Sequence, residues 1–197
     1  MKTLTKGFTL MELLIVIGVL GILAAGLLAA IDPFEQLKKA RDTNNRSATI
    51  ELLSSLTRYY ANHGAFPWNL TTYASSGICS RAGGQPLAAL GAIGTSVMNI
   101  QNAALQTCLN GTLVTDGELK TTFFQGVGST PIYVASDPAD LTNLQVCFSP
   151  EGKSSRTDAS TSWLVSAGTP QTIINQVGQA TPACPDAASS SCLQCFK

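Results

Sequence analysis

The chain changes its hydrophobic rhythm along its length. Positions 13–31 hold nineteen consecutive uncharged, mostly apolar residues. At about 1.5 Å per residue that is roughly 28 Å of helix, close to one bilayer core. Positions 33–63 are amphipathic instead. Thr49, Leu52, Leu53, Leu56, Tyr59 and Tyr60 recur at three- and four-residue spacing, the stripe of a helix that packs on a core. Lys38, Lys39, Arg41, Asp42, Arg46 and Glu51 are expected mostly off that stripe, facing solvent or other chains.

Turn and cap residues divide these segments. Asp32-Pro33-Phe34-Glu35 reads as an N-cap, a first-turn proline and a capping-box acid, so the helix restarts or kinks there. Asn62-His63-Gly64 stops it, with Gly as the C-terminal cap and Pro67 beyond. Residues 68–86 read as a loop. Residues 87–109 predict a second helix, with Leu90, Ile93, Val97, Ile100, Ala104 and Cys108 on one side and Asn110-Gly111 closing it. A short helix or turn follows at 117–124. The period then falls to two: Ile132 and Val134, then Leu144, Val146 and Phe148, then Trp163 and Val165. Asp137-Pro138 and 150–160 are the turns between them. Such a pattern predicts an antiparallel meander with one face on the long helix. The fold class is α+β: a long N-terminal helical spine against a three- to four-stranded antiparallel sheet, with a disulfide-tied C-terminal loop region.

One carboxylate, Glu12, sits at the N-terminal edge of the apolar run. An ionisable group at that depth is costly and marks a functional position. Ahead of it stand Lys2, Lys6, Gly7 and Phe8. This register of Gly7, an aromatic, Glu12 as the fifth residue after Gly7, and then the apolar run resembles the prepilin signal. That signal belongs to type IV pilins and to the pseudopilins of type II secretion. Residues 59–67, from Tyr59-Tyr60 through Gly64 to Phe66-Pro67, look like the junction of major pseudopilins and their pilin relatives. Where many pilins carry a proline inside the helix, this chain has Ala29.

The resemblance implies cleavage of Gly7–Phe8 by a prepilin peptidase and N-methylation of Phe8. It implies assembly of the helices into a homopolymer on an inner-membrane platform, with membrane lipid as the environment beforehand. Glu12 would pin axial register by meeting the Phe8 amine of a neighbouring subunit, or the subunit's own. The expected domains are a leader at 1–7, a transmembrane and polymerisation helix at 8–31, an amphipathic second half at 32–66 and a head at 67–197. The expected function is a pilin of a surface filament serving adhesion, motility or DNA uptake. The alternatives are a secretion pseudopilin, favoured by the 64–67 junction, and a monomeric anchored binding protein that never polymerises. An ordinary secretory signal, with 28–30 as its small-residue site, leaves Glu12 unexplained.

Composition adds bounds. Charged residues are 12% of the chain and the net charge is zero. Loss of Lys2 and Lys6 leaves ten basic side chains against twelve acidic ones. No basic stripe suggests nucleic acid. The bases of the leader favour a cytoplasmic N-terminus, whereas Lys38, Lys39, Arg41 and Arg46 count the other way. The cysteines decide for an external, oxidising head: Cys79, Cys108, Cys147, Cys184, Cys192 and Cys195 all lie beyond the apolar run.

The sequence leaves their connectivity open. Joining loop to helix favours Cys79 with Cys108, and the others would staple the tail at 181–197 onto the strand at Cys147. A zinc site built on Cys192-Leu193-Gln194-Cys195 and Cys184 lacks a second close pair. Asp137, Asp140 and Asp158 are candidates for a loop calcium site, but they lack the alternating acidic ligand pattern of a calcium loop. Gly83-Gly84 and Gly126-Val127-Gly128 do not open a helix after a strand, and the one histidine, His63, ends a helix. No enzyme, metal or cofactor is therefore expected. Asn45, Asn69 and Asn110 begin glycosylation-type triplets, which are common by chance.

Overall fold

The structure is a computed structural model that describes residues 7–30, 32–70, 79, 96–128, 130–136, 144–158, 160–161, 163–165, 173–175, 184 and 192–197. The chain divides into two units, residues 1–37 and 38–197. Positions 1–6 of the expected leader at 1–7, Asp137, Asp140, Gly83-Gly84 and most of the 68–95 stretch lie outside the described residues.

In the first unit, α1 spans Leu10–Ala30 and is apolar on every side. Leu10, Leu14, Ile17, Leu20, Leu23 and Leu27 are all exposed. Helix α2 spans Pro33–His63. It restarts as its sequence predicts: the Asp32 Oδ1 accepts from the N–H groups of Phe34 and Glu35 at 3.1 and 3.3 Å. Pro33 follows where its missing N–H has no intrahelical partner to lose.

In the second unit, α2 buries Leu52, Leu56 and Tyr59 completely. The buried stripe begins earlier than its apolar residues suggest, because Asp42, Asn45 and Thr49 are buried too. Asp42 therefore lies on the stripe and not off it. The helix ends at His63, and Gly64 adopts φ +71°, its N–H donating to Tyr60 O at 2.7 Å. A Cβ is strained at that φ, which is why glycine stands there. Phe66 and Trp68 follow, stacked at 5.3 Å and buried.

The second helix differs from its expectation. Ser96–Asn99 forms strand β1, and helix α3 runs only over Ala103–Leu109. Asn102 caps it, its Oδ1 accepting from Ala104 N and Leu105 N. Pairing with a neighbouring strand outweighs the helical spacing of Val97 and Ile100, a case of tertiary context overriding local pattern. Asn110-Gly111 does not close the helix either, since a π-turn continues through Asn110–Val114. A further helical turn covers Phe123–Val127.

The main sheet has four antiparallel strands in the order β1-β2-β3-β6. Here β2 is Ile132–Ser136, β3 is Leu144–Phe148 and β6 is Gln194–Phe196. Strand β2 pairs with β3 with Val134 opposite Val146, the expected hairpin. The meander stops there. Trp163–Val165 (β4) pairs instead with Ile173–Asn175 (β5) in a separate two-stranded sheet. The place beside β3 is taken by the C-terminal strand.

The period of two sorts the sheet's side chains. Ile132, Val134, Leu144, Val146 and Phe148 join the α2 residues, Leu105, Leu109 and Leu113 in one core. Ala135, Cys147 and Leu193 form a second cluster on the other face, so every residue of β3 is buried. Disulfides join Cys79 to Cys108, Cys147 to Cys195 and Cys184 to Cys192. Cys147 and Cys195 stand directly opposite each other on β3 and β6. With all six cysteines paired, no thiolate remains for zinc.

Candidate functional site

The expected processing and assembly residues lie at the start of α1. Gly7 and Phe8 precede the helix, and Phe8 is 87% exposed. Thr9 is the N-cap position and Glu12 the third helical residue. The Thr9 N–H and Thr9 hydroxyl both donate to Glu12 Oε2 at 2.9 Å. In return Thr9 Oγ1 accepts from the Glu12 N–H at 3.2 Å. This is a reciprocal capping box, and it neutralises two of the helix's orphan donors. With the Gly7–Phe8 peptide in place Phe8 has no free amine to meet Glu12, and the partner of Glu12 within the chain is Thr9. Its signal, Thr-x-x-Glu ahead of an apolar run, is legible in the sequence.

Chemically the box has two consequences. The Thr9 N–H belongs to the Phe8–Thr9 peptide, so cutting Gly7–Phe8 would leave it intact. Glu12 Oε1 also has no intrachain partner among the described residues, and stays available to a cation from outside. Carboxylate and helix dipole are arranged favourably, since an acid in the first turn meets the positive end.

The stretch Leu10–Leu28 is long and apolar enough to cross a membrane. An all-apolar helix of this kind needs lipid or other apolar helices around it. Glu12 is the single ionisable side chain of α1.

The head carries its polar contacts where α2 meets the loops. The Asp42 carboxylate accepts from the N–H groups of Glu151 and Gly152 at 2.8 and 2.9 Å. Arg41 Nη1 meets Glu151 Oε2 at 2.9 Å beside it. Further along, the Arg58 guanidinium donates to Glu118 Oε2 at 2.7 Å and to Glu118 O at 2.8 Å. Asn62 Nδ2 donates to Glu118 Oε1 at 3.1 Å. His63 stacks on Tyr59 at 4.1 Å and places Nε2 3.5 Å from Asp116 Oδ2. It is a helix-end and packing group, held in place by α2 and the 116 turn. Asn45 is buried, Asn69 half-buried and Asn110 exposed, so only the last presents an open amide.

Among the described residues no group of three or more His, Cys, Asp or Glu is placed to hold a metal ion. Asp158 is turned to its own chain, its Oδ1 accepting from the Ser160 hydroxyl at 2.6 Å and the Ser160 N–H at 2.8 Å. These two bonds, the hydroxyl's first, together with the nearby Arg46 charge, hold its carboxyl below the usual range.

An exposed apolar helix with a capped acid at its start thus precedes an α+β head. The prokaryotic N-terminal methylation motif matches residues 3–28. The chain is 42% identical over 80 residues to a type IV major pilin protein, PilE1, of Neisseria gonorrhoeae, covering 41% of this chain and 46% of that protein. It is 42% identical over 80 residues to a fimbrial protein of Neisseria meningitidis serogroup A, covering 41% and 44%. A fimbrial protein of serogroup B is 43% identical over 72 residues, covering 36% and 41%. The chain thus spans less than half the length of these relatives. No solved structure matches it. By this motif and this likeness the N-terminal part of the chain is similar to that of type IV pilins.

Proposed function

We propose that the chain is the structural subunit of a type IV pilus, processed at Gly7–Phe8, methylated at Phe8 and polymerised through α1. The observation that carries this is the helix itself. Beyond Glu12, α1 is apolar all round, and its side chains are exposed through Leu28. It exchanges lipid for the same helix of other copies at little cost in buried apolar area, because both surroundings are apolar. Before assembly the helix sits in the inner membrane, N-terminus cytoplasmic and disulfide-bonded head outside. The likeness to type IV major pilin and fimbrial proteins favours a pilus over a secretion fibre.

Glu12 gives the polymer its register. Oε2 is held by Thr9, and Oε1 accepts from the new α-amine of Phe8 on the adjoining subunit. In an apolar fibre core such a pair strongly disfavours any register that leaves the carboxylate alone. The filament then serves adhesion, motility or DNA uptake at the cell surface. The partners are further copies, related pilins, the prepilin peptidase and the assembly platform. Expressing Glu12→Ala in the producing cell tests this reading. Normal cleavage with few or no filaments is the expected result; abundant normal filaments would refute the register role.

A further inference from the structure

We propose that the cleft between α2 and the 155–158 loop binds one carboxylated sugar residue of the uronic-acid type. The cleft is lined by Lys39 and Arg46 on α2 and by Ser155 and Asp158 opposite, over a floor of Phe148 and Gln194. It encloses about 230 Å³. At about 30 Å³ per liquid water that is space for roughly seven to eight waters, suited to a ring-sized ligand more than to a single ion.

The charge arrangement selects the ligand. The two acids at the cleft are engaged by their own chain: Asp42 by the N–H groups of Glu151 and Gly152, Asp158 by Ser160 through its Oδ1. Neither Lys39 nor Arg46 forms a salt bridge among the described residues, although the Arg46 charge acts on Asp158 across the cleft. The Arg46 guanidinium carbon lies 5.4 Å from the centre of the Phe196 ring. One flat face is thereby covered, which orients the group and leaves its N–H edge for a planar, two-oxygen anion. A carboxylate fits that fork bidentately. On the opposite wall Asp158 Oδ2 accepts hydroxyl donors, and Ser155 offers a hydroxyl. An anion at one end and hydroxyls at the other is the pattern of a sugar acid. A bare anion would leave the second wall unused, and a neutral sugar the first. This proposal stands whether or not the chain polymerises.

The test uses the full chain, nitrogen-15 labelled in detergent micelles, titrated with sodium glucuronate, glucose and inorganic phosphate at fixed ionic strength. Saturable shifts of the Phe148, Ser155 and Gln194 amides with glucuronate are expected, with none from glucose and at least tenfold weaker binding of phosphate. Arg46→Gln should weaken glucuronate binding at least tenfold. Lys39→Gln, at an exposed position, should weaken it several-fold and decides the matter if the Arg46 variant misfolds. No saturable response overturns the proposal. So does an equal response to glucose, phosphate binding as well as glucuronate, or wild-type binding in both variants.

Discussion

Gly152 stands against Asp42 with no room for a side chain. Its N–H donates to Asp42 Oδ2 at 2.9 Å, and a Cβ built on Gly152 would lie 2.9 Å from the same oxygen. The φ of Gly152 is −72°, ordinary for any residue. Glycine is needed here for space alone. Through this contact a buried carboxylate at the start of the α2 stripe fixes the loop that follows β3.

Two substitutions should therefore fail together. Asp42→Ala strands the buried N–H of Gly152 and that of Glu151, at a cost of about 2–4 kcal/mol for charge-assisted bonds. Gly152→Ala pushes the same oxygen away and should cost about 1–3 kcal/mol. Because the pair is one contact, the double variant should lose less than the sum. Urea unfolding of all three, followed by near-ultraviolet circular dichroism, measures the coupling.

Thr9 should matter to the filament in proportion to its hold on Glu12. Thr9→Val keeps the shape and removes the hydroxyl that bonds Glu12 Oε2. Helix-cap losses of this kind are typically about 1 kcal/mol. Cleavage at Gly7–Phe8 should proceed, while filament yield falls to a level between wild type and Glu12→Ala. Counting filaments by negative-stain microscopy ranks the three.

The head should depend on its bridges. Replacing Cys79 and Cys108 together by Ser should lower stability by about 2–4 kcal/mol. Loss of the Cys147–Cys195 bridge should also loosen β6 from β3, where the strand pairs only over three positions. Thermal unfolding with and without reductant, alongside hydrogen exchange at Gln194 and Phe196, reports both effects.

Asp158 offers a pH test of local geometry. The Ser160 hydroxyl and N–H lower its folded pKa. A depressed carboxyl contributes above its unfolded value and loses that contribution as pH falls through the folded one. The Ser160 contacts should accordingly persist through neutral and mildly acidic pH and fail only below the usual carboxylate range. Ser160→Ala should move the Asp158 midpoint upward in a carbon-13 titration.

Much of this was legible in the chain. The apolar run, the restart at Asp32-Pro33 and the stop at Gly64 follow from periodicity and cap chemistry. So do the β2–β3 hairpin and its two-faced alternation. What stayed hidden was non-local. Asp42 looked like a surface charge because its partners, two backbone N–H groups, lie more than a hundred residues away. Val97 and Ile100 carried helical spacing, but β2 makes their segment a strand edge. The C-terminal strand took the place beside β3 that Trp163–Val165 was expected to fill. Thr9 was within reach of sequence reasoning, since the capping box needs only four residues.

The most direct test of the pilin reading is the intact mass and N-terminal sequence of the protein purified from the membrane and surface fractions of its own cell. The account predicts a chain that begins at N-methylated Phe8, with its cysteines in disulfides. A chain that begins at position 1, or near position 31, would contradict it and leave a plain anchor or a freely secreted head.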